Sequence, residues 1–365
     1  MTSWHNRPGR MRIAIFAACL AALAVATASG QTKPAAIRIG LPAALTANGR
    51  PSNLLSSEIT DRYLKEQLGQ DGPRIEWIGI ASAGPGINEA WASGAIDFAY
   101  YGDFPAIIGH AGGLQFKLIM PGTRGGDSFL IVPPGSTAKS INDLKGKRLA
   151  IHKGRPWNLA FARLLMANNL KESDFQLFNL NPLDGDAALA THSIDALYST
   201  DGYLLEQKGM GKIIWSTRDK PLDWKSTAEL WVSDSFANQY PDITQKVTKA
   251  YVQTWYYVSL PQHRDEILRN STSASSPYEV VVKQYQGIEL KDRWVPIFDP
   301  FIREHYKQAI AYALQAGLIR AGFSATDLIE TRFDAQALKD LKLENYWTPV
   351  DGNGTAVAAR LQASN

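Results

Sequence analysis

Two stretches of this chain align without a gap. Asn88–Asp103, NEAWASGAIDFAYYGD, and Asp186–Asp201, DAALATHSIDALYSTD, both carry Ile-Asp-x-x-Tyr-x-x-Asp. In each, a helix ends, a turn follows, and a short strand delivers a Tyr and then an Asp at its C-terminal end. An internal echo of this kind predicts two similar lobes. Around it, apolar strands at 37–41, 74–80, 96–101 and 116–120 alternate with helical stretches at 54–68, 87–92 and from 104. The alternation restarts with strands at 129–132, 148–151, 175–180, 194–198 and 212–215, and helices at 156–170, 184–191 and 203–207. Strand alternating with helix predicts an α/β fold with largely parallel sheets. After a strand at 230–232 the chain reads as mostly helical to about 341, and the Gly/Ala-rich tail 351–365 is expected to be loose.

Open α/β sheets bind ligands in the crevice at the C-terminal ends of their strands. The echo puts Tyr101, Gly102 and Asp103, and on the other side Asp201, at such ends. Asp103 and Asp201 either cap the following helices or contact a ligand, and a cap also fixes its loop. Tyr101 is equally readable as a pocket wall or as core. Trp91 reads as core, and Trp231 as a wall candidate in a strand where core is commoner.

The stretch LAIHKGRPWNLAFARLL, Leu149 to Leu165, places Gly154, Arg155, Pro156, Trp157 and Asn158 between a strand and a helix. Pro156 suits the first helical position, where a missing N–H is harmless. A helix N-terminus offers unpaired N–H groups and partial positive charge. Pro156 removes one donor and leaves those of Trp157 and Asn158. Arg155 adds a planar fork that bonds a sulfonate or carboxylate at two points, and Trp157 lines the apolar side. Gly154 to Asn158 is therefore read as an anion clamp, against the alternative of a surface arginine beside a packed tryptophan. Arg124, in GTRGGDS, is a second candidate cation, and Lys153 the weakest.

The start of the chain, RPGRMRIAIFAACLAALAVATASGQ, has the three parts of a secretory signal, with Ala26-Thr27-Ala28 as the cleavage site. Residues 1–28 are expected to be removed, giving an exported protein. They carry Arg7, Arg10 and Arg12 and no acid, so 38 basic residues become 35 against 35 acidic. That balance gives no case for nucleic acid or an anionic membrane. Cys19, the single cysteine, lies inside the apolar core of the signal rather than at its end, which disfavours lipidation. Without it the chain has no thiol for disulfides, metal or nucleophilic catalysis. The six histidines show no metal-ligand spacing, and no Gly-x-Ser-x-Gly, phosphate loop or dinucleotide fingerprint is present. No cofactor is expected.

Several segments together resemble the periplasmic substrate-binding proteins of ABC importers of the nitrate/sulfonate/taurine type. They are Ile37-Arg38-Ile39-Gly40, Ala83-Gly84-Pro85, Gly94 to Phe98, Gly102-Asp103-Phe104-Pro105-Ala106, Asp143 to Ala150, and Lys153-Gly154. The resemblance implies a periplasmic-binding-protein-like fold: two lobes with parallel-rich sheets, two crossover segments, and the ligand closed between them. Lobe I would hold 36–123 and 228–345, and lobe II 124–227. It implies ligand contacts at Ala43-Ala44, Asn48, Gly102-Asp103, the Gly154-Arg155 turn and Asp201. It also implies a small organic anion as ligand, an ABC permease with its ATPase as partners, and a monomer. The first loop, PAALTANGRPSN, is longer than the family's and lacks Gly-Gly-Asn, and Arg155 stands where many sulfonate binders have Ser or Thr. Two other classes are similar: aryl sulfinate desulfinases and thiamine-pyrimidine synthases, whose chemistry leans on cysteine or on a histidine/cysteine-rich segment, and sensor subunits that present a ligand to a membrane receptor.

Overall fold

A computed structural model describes residues 1–2, 33–42, 58–80, 82–273 and 276–357. The signal stretch beyond residue 2, the first-loop candidates Ala43, Ala44 and Asn48, and the tail beyond 357 lie outside the described residues. The described residues from Lys33 onward belong to one unit. Its first part runs β1 (Ala36–Leu41), α1 (Glu58–Leu68), β2 (Arg74–Gly79), α2 (Gly84–Ala92), β3 (Phe98–Gly102), α3 (Asp103–Ala111) and β4 (Phe116–Gly126). Next come β5 (Phe129–Val132), β6 (Arg148–Ile151), α4 (Asn158–Ala167), β7 (Gln176–Asn179), α5 (Pro182–Ala190), β8 (Ala196–Ser199), α6 (Gly202–Gln207) and β9 (Lys212–Ser216). The chain returns through β10 (Ser226–Ser233) into α7 (Asp234–Gln239), α8 (Pro241–Ser259), α9 (Arg264–Asn270), α10 (Tyr278–Tyr285), α11 (Leu290–Arg293), α12 (Pro300–Gln315) and α13 (Arg332–Leu341).

The strands form two five-stranded sheets of matching topology, β2-β1-β3-β10-β4 and β7-β6-β8-β5-β9. β1 pairs in parallel with β2 and β3, as β6 does with β7 and β8. Each sheet holds one antiparallel strand, β10 in the first and β5 in the second. Those are the two strands that arrive from the other lobe, which is why the expected parallel order is broken there. Alternation along each strand sends neighbours to opposite faces. Phe98 and Tyr100 thus enter the core under α1, α8 and α13, while Ala99 and Tyr101 enter the one under α2, α3 and α12. The second sheet is likewise clad on both faces, with Leu130 and Val132 on one and Phe129 and Ile131 on the other.

The echo occupies α2-β3 and α5-β8, equivalent places in the two sheets. Its first aspartate is a strap. Asp97 accepts from the backbone N–H of Arg38 at 2.8 Å and pairs with its guanidinium at 2.5 Å. Asp195 does the same for Arg148, at 2.9 Å in both cases. Each repeat tyrosine ends near a crossover. Tyr100 Oη accepts from the N–H of Thr123 at 2.7 Å, and Tyr198 Oη lies 2.8 Å from Ser128 Oγ.

The crossovers are short. β4 leaves the first sheet at Gly126 and β5 joins the second at Phe129, while β9 ends at Ser216 and β10 begins at Ser226. The boundaries drawn from sequence, 123/124 and 227/228, fall inside β4 and β10, because these strands pair with each other past a bulge as far as Gly126 and Ser226. Asp127 ties both crossovers, accepting from Lys225 Nζ (3.0 Å), Arg218 Nη1 (3.2 Å) and Thr217 Oγ1 (3.2 Å). The start of the tail is not loose. Asp351 accepts from the N–H groups of Asn353 and Thr355, and Asp223 donates its N–H to Gly352 O at 2.8 Å. A Gly/Asn/Asp-rich composition suits a tight turn as well as a loose end. Among the described residues no helix is long and apolar enough to cross a membrane.

Candidate functional site

A cleft of about 250 Å³ lies where the two lobes meet. Pro42, Gly84, Tyr100, Tyr101, Gly102, Pro105, Thr123 and Arg293 line it from the first lobe, and Arg155, Pro156, Trp157 and Thr200 from the second. Gly126, Ser226, Thr227 and Ala228 line it at the crossovers. The strand ends that the echo marks therefore do converge on one crevice, as open sheets require.

Arg155 is the central charge. Its turn is closed on itself: Asn158 donates its N–H to Arg155 O, and the Asn158 side chain accepts the N–H of Arg155, both at 2.9 Å. Gly154 makes the bend possible with φ +73°, a conformation that side chains disfavour. The Arg155 guanidinium lies over the Trp157 ring at 5.0 Å, and its Nε is buried with no partner. Burial lowers the guanidinium to about 10, which leaves it charged at neutral pH. Trp157, 7% exposed, also has an unpartnered buried Nε1. Two donors without acceptors thus sit side by side in the cleft wall.

The helix itself contributes less than its sequence promised. α4 begins at Asn158 with Trp157 as the preceding residue, so Pro156 stands in the turn before the helix and not at its first position. The Asn158 N–H, expected as a free donor, is held by Arg155 O. The positively charged side chains in the described cleft wall are Arg155 and Arg293.

The acidic candidates stand behind the wall. Asp103 is 0% exposed, accepts the N–H of Phe104 at 2.7 Å, and lies 2.5 Å from His305 Nε2. His305 Nε2 in turn lies 3.5 Å from Thr227 Oγ1, a lining hydroxyl, so Asp103 reaches the cleft only through two intermediaries. Burial first, and then the Asp103 charge, hold the Glu229 carboxyl well above its ordinary range, and Glu229 Oε2 takes the Tyr306 hydroxyl at 2.6 Å. Asp201 makes no cap bond to α6; it accepts from Ser199 Oγ at 3.2 Å and, more weakly, from Thr200 Oγ1. Burial also raises Asp201, and burial with the Asp201 charge pushes Asp186 up to about 7. No carboxylate is among the described lining residues.

Arg124 does not reach the cleft. It is 8% exposed and donates to Asp299 at 2.7 Å in a buried pair. Its neighbour Thr123 lines the cleft instead, because adjacent strand residues point to opposite faces. Tyr101 reaches the lining but is 1% exposed, with its ring among Phe116 and Trp231 in the core. Trp91 and Trp231 are core residues. Lys153 turns outward to Glu172 at 2.6 Å. Residues that sequence reasoning missed are Arg293, Thr123, Thr200, Ser226 and Thr227. The repeat places Thr200 just before Asp201, which was a usable signal; Arg293 comes from a helical segment with no motif.

The lobes touch at Gly102. A Cβ there would overlap the Pro156 ring and come within 3.2 Å of Thr227 O. Gly102→Ala is therefore expected to hold the lobes apart and weaken ligand binding about tenfold, or about 1.4 kcal/mol. The ligand-free melting temperature should change little. Calorimetry with small-angle scattering checks this, and undiminished affinity with full contraction would show that Gly102 does not limit closure.

The comparisons with known proteins bear on the family and the fold. The family model described as NMT1/THI5 like matches residues 80–263. A Bacillus subtilis (strain 168) protein named for binding aliphatic sulfonates is 27% identical over 208 residues, 56% of this chain and 61% of its own length. An Escherichia coli (strain K12) protein of the same name is 31% identical over 131 residues, 36% of this chain and 41% of its own. The chain thus matches between two fifths and three fifths of the length of these curated relatives. A solved structure from Methylobacillus flagellatus KT, named as a periplasmic sulfonate-binding protein, is 38% identical. It covers 87% of this chain and 98% of its own, with a TM-score of 0.75.

Proposed function

The chain belongs to the NMT1/THI5-like family, and we propose that it is the solute-binding component of an ABC importer that captures a small organic anion, an aliphatic sulfonate first, between its two lobes. The observation that carries this reading is Arg155: a partly buried cation with an enclosed, unpartnered Nε and no acidic partner among the described residues, in the wall of the interlobe cleft. Burying a charge without a counter-ion is costly, so such a residue persists where a ligand supplies the missing charge. The names of its relatives point to sulfonate as that ligand. In this reading the Arg155 fork and Trp157 Nε1 hold the sulfonate oxygens, and the hydroxyls of Thr200 and Thr227 supply further donors. Proline and alanine surfaces at Pro42, Pro105, Pro156 and Ala228 accommodate a short carbon chain. With no carboxylate among the described lining residues, an ammonium group on the ligand gains no ionic partner there.

The export reading goes with it: a chain delivered to the periplasm after loss of residues 1–28, handing its ligand to a permease and its ATPase. A thermal-shift screen of alkanesulfonates, taurine, carboxylates, nitrate and neutral analogues tests the ligand class. Sulfonates should give the largest stabilisation, and plain alkanesulfonates should match or exceed taurine. A neutral compound as the sole hit would reject the anion reading.

A further inference from the structure

We propose that the ligand carries two negative charges, bridged between Arg155 on the second lobe and Arg293 on the first, a deepening that rests on the anion-binding reading above. Arg293 ends α11, and its segment is pinned to β4: Trp294 bridges Thr123, and Val295 donates its N–H to Gly122 O at 2.9 Å. Its guanidinium sits 5.6 Å from the Tyr285 ring, and Tyr285 stacks on Trp294. Its Nη1 would lie 3.1 Å from a Cβ on Gly125, at the start of the first crossover. Its Nε is buried and unpartnered, like that of Arg155.

Other enclosed cations among the described residues have an acidic or carbonyl partner. Arg124 has Asp299, Arg218 and Lys225 share Asp127, and Arg163 has Asp223. Arg264 donates to two carbonyls, Ile288 O and Tyr285 O. Arg155 and Arg293 have neither a carboxylate nor a carbonyl among the described residues, and both face the same small cavity. The two cations line one cleft, and no carboxylate is among its described lining residues. A monoanion neutralises one of them. A short dianion neutralises both and ties one lobe to the other, which couples capture to closure. The chemical class is a short dianion with a sulfonate at one end and a carboxylate or second sulfonate at the other.

The probes are ethanesulfonate, sulfoacetate and ethane-1,2-disulfonate, measured by calorimetry at one ionic strength. Wild-type protein should bind at least one dianion tenfold or more tighter than ethanesulfonate. Arg293→Ala should reduce that preference to less than threefold, costing the dianion more affinity than it costs ethanesulfonate. Equal or tighter binding of ethanesulfonate in the wild type would overturn the two-charge inference and leave the anion reading standing. Equal loss of all three ligands in Arg293→Ala, with its ligand-free melting temperature unchanged, would also overturn it, since Arg293 would then serve the cleft as a whole. No binding of any of the three, nor of any other anion in the screen, would remove the anion reading itself.

Discussion

Arg155→Ala should weaken ligand binding by a factor of about 30 to 150, or roughly 2–3 kcal/mol, by removing a charge-assisted fork from a desolvated anion. The ligand-free protein should not suffer. Its Arg155 is partly buried beside Trp157, with an enclosed Nε and no counter-charge, so truncation removes a cost and the melting temperature should stay level or rise. Arg155→Lys should recover only part of the affinity, since a point charge does not reproduce a planar fork. The pH profile follows from burial. The guanidinium, lowered to about 10, is charged throughout pH 6 to 9, and affinity should be flat there and fall as pH rises through 10. Calorimetry of the variants together with thermal melts of the ligand-free forms separates the two effects. An alanine variant that binds normally would move the clamp elsewhere, and one that binds poorly but also melts early would make Arg155 a structural residue.

The second large effect lies away from the cleft. Asp299→Ala should destabilise the protein by about 3–5 kcal/mol, because it leaves Arg124 buried and unpaired. Asp299 also caps α12 by accepting the N–H of Ile302, and accepts the N–H of Val350, so its loss opens the closing turn of the chain as well. The expected fall in melting temperature is on the order of 10 °C. Replacing both partners together, as Arg124→Met with Asp299→Leu, should restore the part of the loss that comes from the orphaned charge, while the part from the unpaired Ile302 and Val350 N–H groups remains. A melting temperature for Asp299→Ala within 2 °C of wild type would mean that water or a neighbouring group solvates Arg124.

The repeat was legible because it is local. Asp97 and Asp195 lie a fixed distance before Tyr100 and Tyr198, and the strand-turn pattern around them depends on neighbours in sequence. The same locality made Arg155 readable, since strand, glycine bend and helix follow one another within ten residues. Arg124 was misread for a reason of the same scale. Whether a strand residue faces in or out depends on register, and β4 pairs with β10 through several irregularities, so alternation could not be counted across them. The partner that holds Arg124 in the core, Asp299, lies 175 residues away. Arg293 and Thr227 reach the cleft from the returning half of the chain, where nothing in the local pattern marks proximity to Gly102. Helix starts show the residual uncertainty of one or two residues, which at Pro156 decided whether an N–H group was free.

The strand order also dictates a sequence of events in folding. β10 lies between β3 and β4, yet it is made after all of the second sheet. The strands of lobe II are all present once Ser216 has emerged, from one uninterrupted segment. Lobe I must wait for β10 with the edges of β3 and β4 unpaired, and then close a loop that spans the whole of the other lobe. Long-range closure of this kind is slow, and open edges recruit other strands. While it is being made, this chain would therefore present a finished half and an unfinished half at once, the second with open strand edges.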